Sequence, residues 1–136
     1  MINKYIRTIL MVVLTIISYI SVYGESGTSE IRKLLDNVNE CLAEKPDSAF
    51  SVLNALKIPE SEDESTMAFY AILHARAEYI ATDTIKSDSL LQKAIKYYNG
   101  EKSRSSSLAY YYLGCYYFGN DYYKASYAFQ RSIDLI

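Results

Sequence analysis

The chain has 136 residues, of which half are apolar and 22% are charged, with a formal net charge of −2 and a pI near 5.4. This length allows one domain at most, and the apolar content argues for a buried core and against a disordered chain. The slightly acidic balance, without any basic run, argues against nucleic-acid binding by this chain.

The N-terminal segment, residues 1–24, has the parts of a secretory signal peptide. Lys4 and Arg7 precede an uncharged, mostly apolar run that ends at Gly24, and this order is typical of such peptides. Val22 and Gly24 would lie three and one residues before the cleavage point. The alternative is an uncleaved membrane anchor, although the run falls short of the roughly 20 helical residues that span a bilayer. We therefore expect an exported, periplasmic protein, or one anchored in the inner membrane with the rest outside the cytoplasm.

Apolar residues recur at helical spacing along the rest of the chain and predict three pairs of helices. Pro46 and Asp47 mark the start of the second helix of the first pair, because proline fits the first helical turn and aspartate caps free N–H groups. Ser61 and Glu64 have the spacing of a capping box before the second pair. The helical region is residues 28–136, and its pairs are 29–59, 65–98 and 105–136.

Small residues at equivalent places indicate that the three pairs are repeats of one unit. Ala55, Ala94 and Ser132 fall at matching positions of the three second helices, at separations of 39 and 38 residues. One helical hairpin cannot bury its apolar face alone, so successive hairpins are expected to stack and share a core. The sequence therefore predicts an all-α fold of stacked antiparallel helical hairpins.

The third pair carries the most specific pattern, a helix, a Gly-Asn-Asp turn and a second helix. Its residue types are ordered as in a tetratricopeptide repeat, with large aromatic, Leu-Gly, Tyr, small, aromatic and small positions. Tyr127 is a further core position beside them. The residues at the repeat positions are Tyr110, Leu113, Gly114, Tyr117, Ala125, Phe129 and Ser132.

Two further segments, PDSAFSVLNAL at residues 46–56 and SDSLLQKAIKYY at residues 87–98, extend this likeness. With them, the chain resembles the exported tetratricopeptide-repeat regions that are common in signalling proteins of Bacteroidetes. The resemblance implies a short superhelix whose inner groove is lined from the first helices and binds a protein or peptide segment. In the third pair, the groove residues would be Tyr111, Cys115 and Phe118.

Two departures from the repeat pattern leave other functions open. The Leu-Gly pair is missing from the second pair of helices, around Leu73 and His74, and the chain stops at Ile136 without a polar capping helix. One alternative is therefore the sensory fragment of a membrane-anchored signalling or transcriptional regulator, with the output domain absent here. Another is a structural protein that self-associates through its uncapped C-terminal helix.

The chain has little of the chemistry that catalysis needs. His74 is the only histidine, and no metal-protease, nucleotide-binding or serine-hydrolase motif is present. We therefore expect no enzymatic activity, no cofactor and no metal. Cys41 and Cys115 lie on the first helices of the first and third pairs, farther apart than the roughly 7 Å that a disulfide bridges. The sequence predicts two free, largely buried thiols.

Overall fold

The computed structural model describes residues 2–22 and 27–136. Over these two ranges the fold is all-helical, with seven α-helices and no strand, which confirms the all-α prediction for them. Neighbouring helices pack against one another from the second helix onward. The helices are α1 Ile2–Val22, α2 Gly27–Cys41, α3 Pro46–Ala55, α4 Glu64–Thr82, α5 Ser89–Tyr98, α6 Arg104–Tyr117 and α7 Tyr122–Asp134.

Helix α1 coincides with the apolar N-terminal segment. Between Tyr5 and Ile16, most of its large apolar side chains are exposed, Met11 to 69% and Ile9 to 60%. In the part of the chain that the structure covers, no helix combines the length and hydropathy that a membrane span requires. The expected cleavage point after Gly24 lies outside the described residues.

Polar side chains fix the starts of three helices. Asp63 accepts a hydrogen bond from the backbone N–H three residues later at 2.7 Å, and Ser103 and Asp121 do the same at 3.2 and 3.0 Å. The N-terminal N–H groups of a helix lack partners within it, so such caps define where α4, α6 and α7 begin. The expected capping box of Ser61 and Glu64 is wrong, because Asp63 lies closer to the first turn and takes the cap position.

Helix α4 joins two apolar cores. One side of it packs on α2 and α3, and another packs on α5 and α6. Stacking in this way lets each hairpin bury apolar surface that it could not bury alone. The first core is formed by Ile31, Leu35, Val38, Leu42, Ala49, Leu53, Leu73 and Ala77. The second includes Ala68, Ala71, Ile72, Ala75, Ile85, Leu91, Ala94, Ala109, Tyr112, Leu113 and Ala128.

The packing corrects the register of the first pair. Ala94 and Ser132 are buried as expected from their matching positions, but Ala55 is exposed. Leu56, the next residue, packs on the first core instead. Leu56, Ala94 and Ser132 are separated by 38 residues at both steps, so the matching of Ala55 with the other two is wrong by one residue.

The burial of the cysteines also differs from the prediction. Both thiols are free, but Cys41 is exposed and Cys115 is half-buried. The buried side of α2 follows a stripe at helical spacing that ends at Leu42, and Cys41 lies beside that stripe in the last turn. The expectation of two largely buried thiols is therefore wrong for Cys41.

Candidate functional site

Helix α6 is held against α7 by contacts at both of its ends. Near its start, Ser107 and Ser132 exchange hydrogen bonds, each hydroxyl donating to the other residue's carbonyl oxygen at 2.8 Å. Toward its end, Gly114 is buried against the ring of Phe129. These contacts fix which side chains α6 presents on its remaining faces.

Tyr111 and Cys115 lie one helical turn apart on α6 and are accessible from outside. Tyr111 is 42% exposed, and its ring lies 5.8 Å from that of Phe129. Tyr79 of α4 reaches the same region, since its ring lies 6.4 Å from that of Tyr112. Two helices thus build one aromatic surface, defined by Tyr79, Tyr111 and Cys115, which we call the α4–α6 wall.

The three side chains of the wall influence one another's pKa values. Burial raises the pKa of the Cys115 thiol, while interactions with the Tyr111 and Tyr79 hydroxyls oppose that rise. The neighbouring Cys115 raises the pKa of Tyr79 and of Tyr111, and burial adds to both shifts. All three groups are therefore neutral at physiological pH and can act as hydrogen-bond donors.

Phe118, the third expected groove residue, lies apart from this cluster. It follows the last helical residue of α6 and has extended backbone angles. Its side chain is 65% exposed and packs edge-to-face on Tyr122, with ring centroids 6.0 Å apart. The structure therefore groups Tyr111 with Cys115 and places Phe118 at the α6–α7 turn.

Arg76 is a residue of this region that sequence reasoning missed. Its guanidinium donates to Asn39 Oδ1 of α2 at 3.2 Å. Burial raises the pKa of Tyr112 to about 12, and the positive charge of Arg76 opposes that rise. Arg76 stands 38 residues before Gly114, the same separation as that of Ala94 and Ser132, so the second pair has a cation where the third has a glycine.

The residues at the repeat positions lie between α6, α7 and the preceding pair. Leu113, Gly114, Ala125 and Ser132 are buried, and Phe129 is half-buried. Tyr110 is half-buried beneath Arg131, whose guanidinium carbon lies 5.6 Å from the ring centroid. The Tyr117 hydroxyl donates to Asp88 Oδ2 at 3.1 Å and so links α6 to the start of α5. Tyr127 was expected in the core, but it is 62% exposed, since the buried side of α7 is formed by Ala125, Ala128 and Ser132.

A second concave feature is a cleft of about 260 Å³ between α3, α4 and α5. His74 lines this cleft and is half-buried, with Nε2 2.8 Å from Asn54 Oδ1. The rings of Phe50 and Tyr70 flank the imidazole at 5.6 and 5.8 Å. Burial lowers the pKa of His74, and the charge of Glu78 opposes that shift.

Glu78 is the unusual member of this cleft. Its residue is only 4% exposed, yet it lines the cleft one turn after His74. The ion pairs of the described residues are Arg32–Asp36, Lys33–Glu30 and Lys124–Asp121, so none of them involves Glu78. Its backbone carbonyl accepts from Thr82 Oγ1 at 2.8 Å, while no side chain in the described ranges hydrogen-bonds its carboxylate.

Neither region gathers the side chains of a metal centre. Across residues 2–22 and 27–136, no group of three histidine, cysteine or carboxylate side chains is placed to hold a metal ion. Comparison of the chain with protein-family models, curated proteins and solved structures finds no match. Function is therefore inferred from the geometry of the α4–α6 wall and the cleft.

Proposed function

We propose that this protein is a non-catalytic repeat module of tetratricopeptide type that binds a peptide segment of another protein on the α4–α6 wall. The observation that carries the proposal is the joint presentation of Tyr79, Tyr111 and Cys115 by two adjacent first helices. The 38-residue spacing of Leu56, Ala94 and Ser132, of which the last two are buried and Leu56 is half-buried at the end of α3, supports the repeat assignment.

The chemistry of the wall favours a partly apolar segment. Tyrosine rings offer broad contact area at low conformational cost, and their hydroxyls donate hydrogen bonds to a partner's backbone carbonyls. Arg76 adds a half-buried cation beside Tyr112. A carboxylate of the bound segment would pair with it, because guanidinium groups bind carboxylates in a bidentate geometry.

Selection from a random peptide library displayed on phage tests this proposal, because it does not require the natural partner to be identified. For a selected peptide, Tyr111→Ala is expected to weaken affinity by roughly tenfold or more, as truncation of a central aromatic anchor does. Tyr127→Ala is the matched control, since Tyr127 is also exposed but lies on α7, away from the wall. Equal affinities of the wild type and Tyr111→Ala would contradict the proposal.

A second candidate function is self-association through α7. Five large apolar or aromatic side chains of its outer side and of the chain end are at least 62% exposed, which is unusual for one short element. They are Tyr122, Tyr123, Tyr127, Ile133 and Ile136. Light scattering over a range of concentrations tests it: a mass that doubles with concentration, and that Ile133→Glu returns to the 15.5 kDa of a monomer, supports a dimer. A constant monomer mass would contradict it.

We also propose that the protein is exported through its N-terminal segment. The exposed apolar side chains of α1 suit recognition by an export apparatus, which binds apolar cores behind a positive flank. Expression of the full chain followed by N-terminal sequencing tests this proposal. A product beginning at Glu25 in the exported fraction is expected, and an intact chain retained in the cytoplasm would contradict export.

A further inference from the structure

We propose that the cleft between α3, α4 and α5 binds a primary alkylammonium group, with Glu78 as its counter-ion. This site is separate from the α4–α6 wall and does not depend on the function proposed for it. Glu78 is a carboxylate at a residue only 4% exposed, and it lines the cleft without a partner among the described side chains.

A buried carboxylate without a counter-ion is unfavourable, since it loses hydration and gains no pairing energy. In this cleft the nearest titratable neighbour on the same helix is His74, and burial keeps its imidazole neutral by lowering its pKa. Lys86 lines the cleft from the segment before α5 but is exposed and forms no ion pair with Glu78. Glu78 and Lys86 are therefore the two charged residues of the lining, and an entering ammonium group would compete with that of Lys86 for the carboxylate.

The walls of the cleft define the rest of the ligand. Six apolar side chains line the cleft together with Glu78, which suits a short alkyl chain, and one of them is the ring of Phe50, a residue type whose face attracts cations. A volume of about 260 Å³ lies below the roughly 300–1,000 Å³ of pockets for drug-sized ligands and therefore suits a small group. The apolar lining is formed by Phe50, Ala71, Ala75, Ile85, Leu90 and Leu91.

The same chemistry occurs in a free small amine and in a lysine side chain of another protein. The hydroxyl groups of Ser87 and Ser89, which also line the cleft, would accept hydrogen bonds from the ammonium group, and Glu78 would pair with its charge. An arginine side chain fits less well, since its planar guanidinium is larger and needs two acceptor directions at once.

The test uses n-butylammonium chloride and the ring Cε1–H signal of His74, which is the only histidine and so gives a single resonance. In the full chain, a saturable shift at millimolar concentration is expected, and potassium chloride of equal ionic strength and n-butanol should not reproduce it. Glu78→Gln keeps the side-chain shape and should weaken binding at least tenfold. Glu40→Gln, which makes the same charge change on an exposed part of α2, should leave the affinity unchanged.

Two further arms complete the experiment. Nα-acetyl-lysine amide identifies the source: binding as tight as that of n-butylammonium supports a lysine side chain, and at least tenfold weaker binding supports a free amine. Lys86→Ala should keep or increase the affinity, because it removes a competing ammonium. The proposal is overturned if n-butylammonium gives no saturable shift, or if Glu78→Gln binds it as tightly as the wild type.

Discussion

The ring of Phe129 fills the space that a side chain at Gly114 would need. A Cβ atom built at Gly114 would lie 2.5 Å from two carbon atoms of that ring, far inside van der Waals contact. The close approach of α6 and α7 therefore depends on having no side chain at this position. The contact between Gly114 and Phe129 also fixes the face of α6 that carries Tyr111, because the Tyr111 ring packs on that of Phe129.

Gly114→Ala is expected to destabilise the protein by about 1 kcal/mol, because over-packing costs about 2 kcal/mol and the better helix propensity of alanine offsets about 1 kcal/mol of it. In a Phe129→Ala background the ring is gone, so the same substitution should instead stabilise by about 1 kcal/mol. Urea unfolding of the four proteins measures both effects. Equal destabilisation in both backgrounds would contradict the role of the ring.

The hydrogen bonds between Ser107 and Ser132 are expected to stabilise the α6–α7 contact. Ser132→Ala removes one donor and one acceptor from a buried pair and should cost about 1 kcal/mol in the free energy of unfolding. Ser126→Ala, on the exposed side of α7, controls for helix propensity. If both variants unfold at the same urea concentration, the buried pair contributes nothing to stability.

Stability is expected to fall as the pH drops below the ordinary histidine pKa of 6.5, because burial lowers the pKa of His74 in the folded state. Below pH 6.5 the unfolded chain then binds more protons than the folded one. The contribution of neutral His74 to the free energy of unfolding is therefore complete above pH 6.5 and is lost as the pH falls through the folded-state pKa. Lys86 lines the same cleft, and the charge of Glu78 favours protonation of His74, so Glu78→Gln should lower the pKa of His74 further.

An NMR titration of the His74 ring measures this pKa directly, and His74→Gln should remove the corresponding part of the pH dependence of unfolding. A titration midpoint above 6.5 would contradict the burial of the imidazole as the cause of the shift.

The two thiols are expected to react at different rates. Cys41 is exposed, whereas Cys115 is half-buried and its pKa is raised by burial, so less of it is thiolate at pH 8. Reaction with a disulfide reagent should show two phases, with Cys115 roughly tenfold slower. Cys41→Ser should leave only the slow phase, and a remaining fast phase would show that Cys115 is more accessible than the structure indicates.

The sequence predicts the helices well, because apolar spacing and turn residues are local signals. Pro46 starts α3 as expected, and α5 ends at Tyr98 as expected. The cap of α4 is harder to predict because Ser61, Asp63 and Glu64 all suit a helix start, and only the path of the chain decides between them. Similarly, Ala55 and Leu56 are adjacent, and tertiary packing decides which of them faces the core.

The residues that form the α4–α6 wall and the cleft were harder to predict. Tyr111 follows from the repeat pattern, but Arg76 and Tyr79 belong to the second pair, where the pattern is weak. The burial of Glu78 could not be predicted from the sequence, because a single glutamate in a helix is normally solvated. Only the packing of α3 and α5 around α4 buries it. Arg76, Glu78 and Tyr79 all lie on α4, but Tyr111 lies on α6, and what these helices bring together exists only in the packed structure.

The most direct test of the binding proposal is to map a selected peptide on the protein by amide chemical shifts. Titration is expected to perturb signals of α4 and α6 around Tyr79, Tyr111 and Cys115, while those of α3 and the outer side of α7 stay in place. Perturbation confined to α7 around Ile133, with none on α4, would contradict a binding surface on the α4–α6 wall.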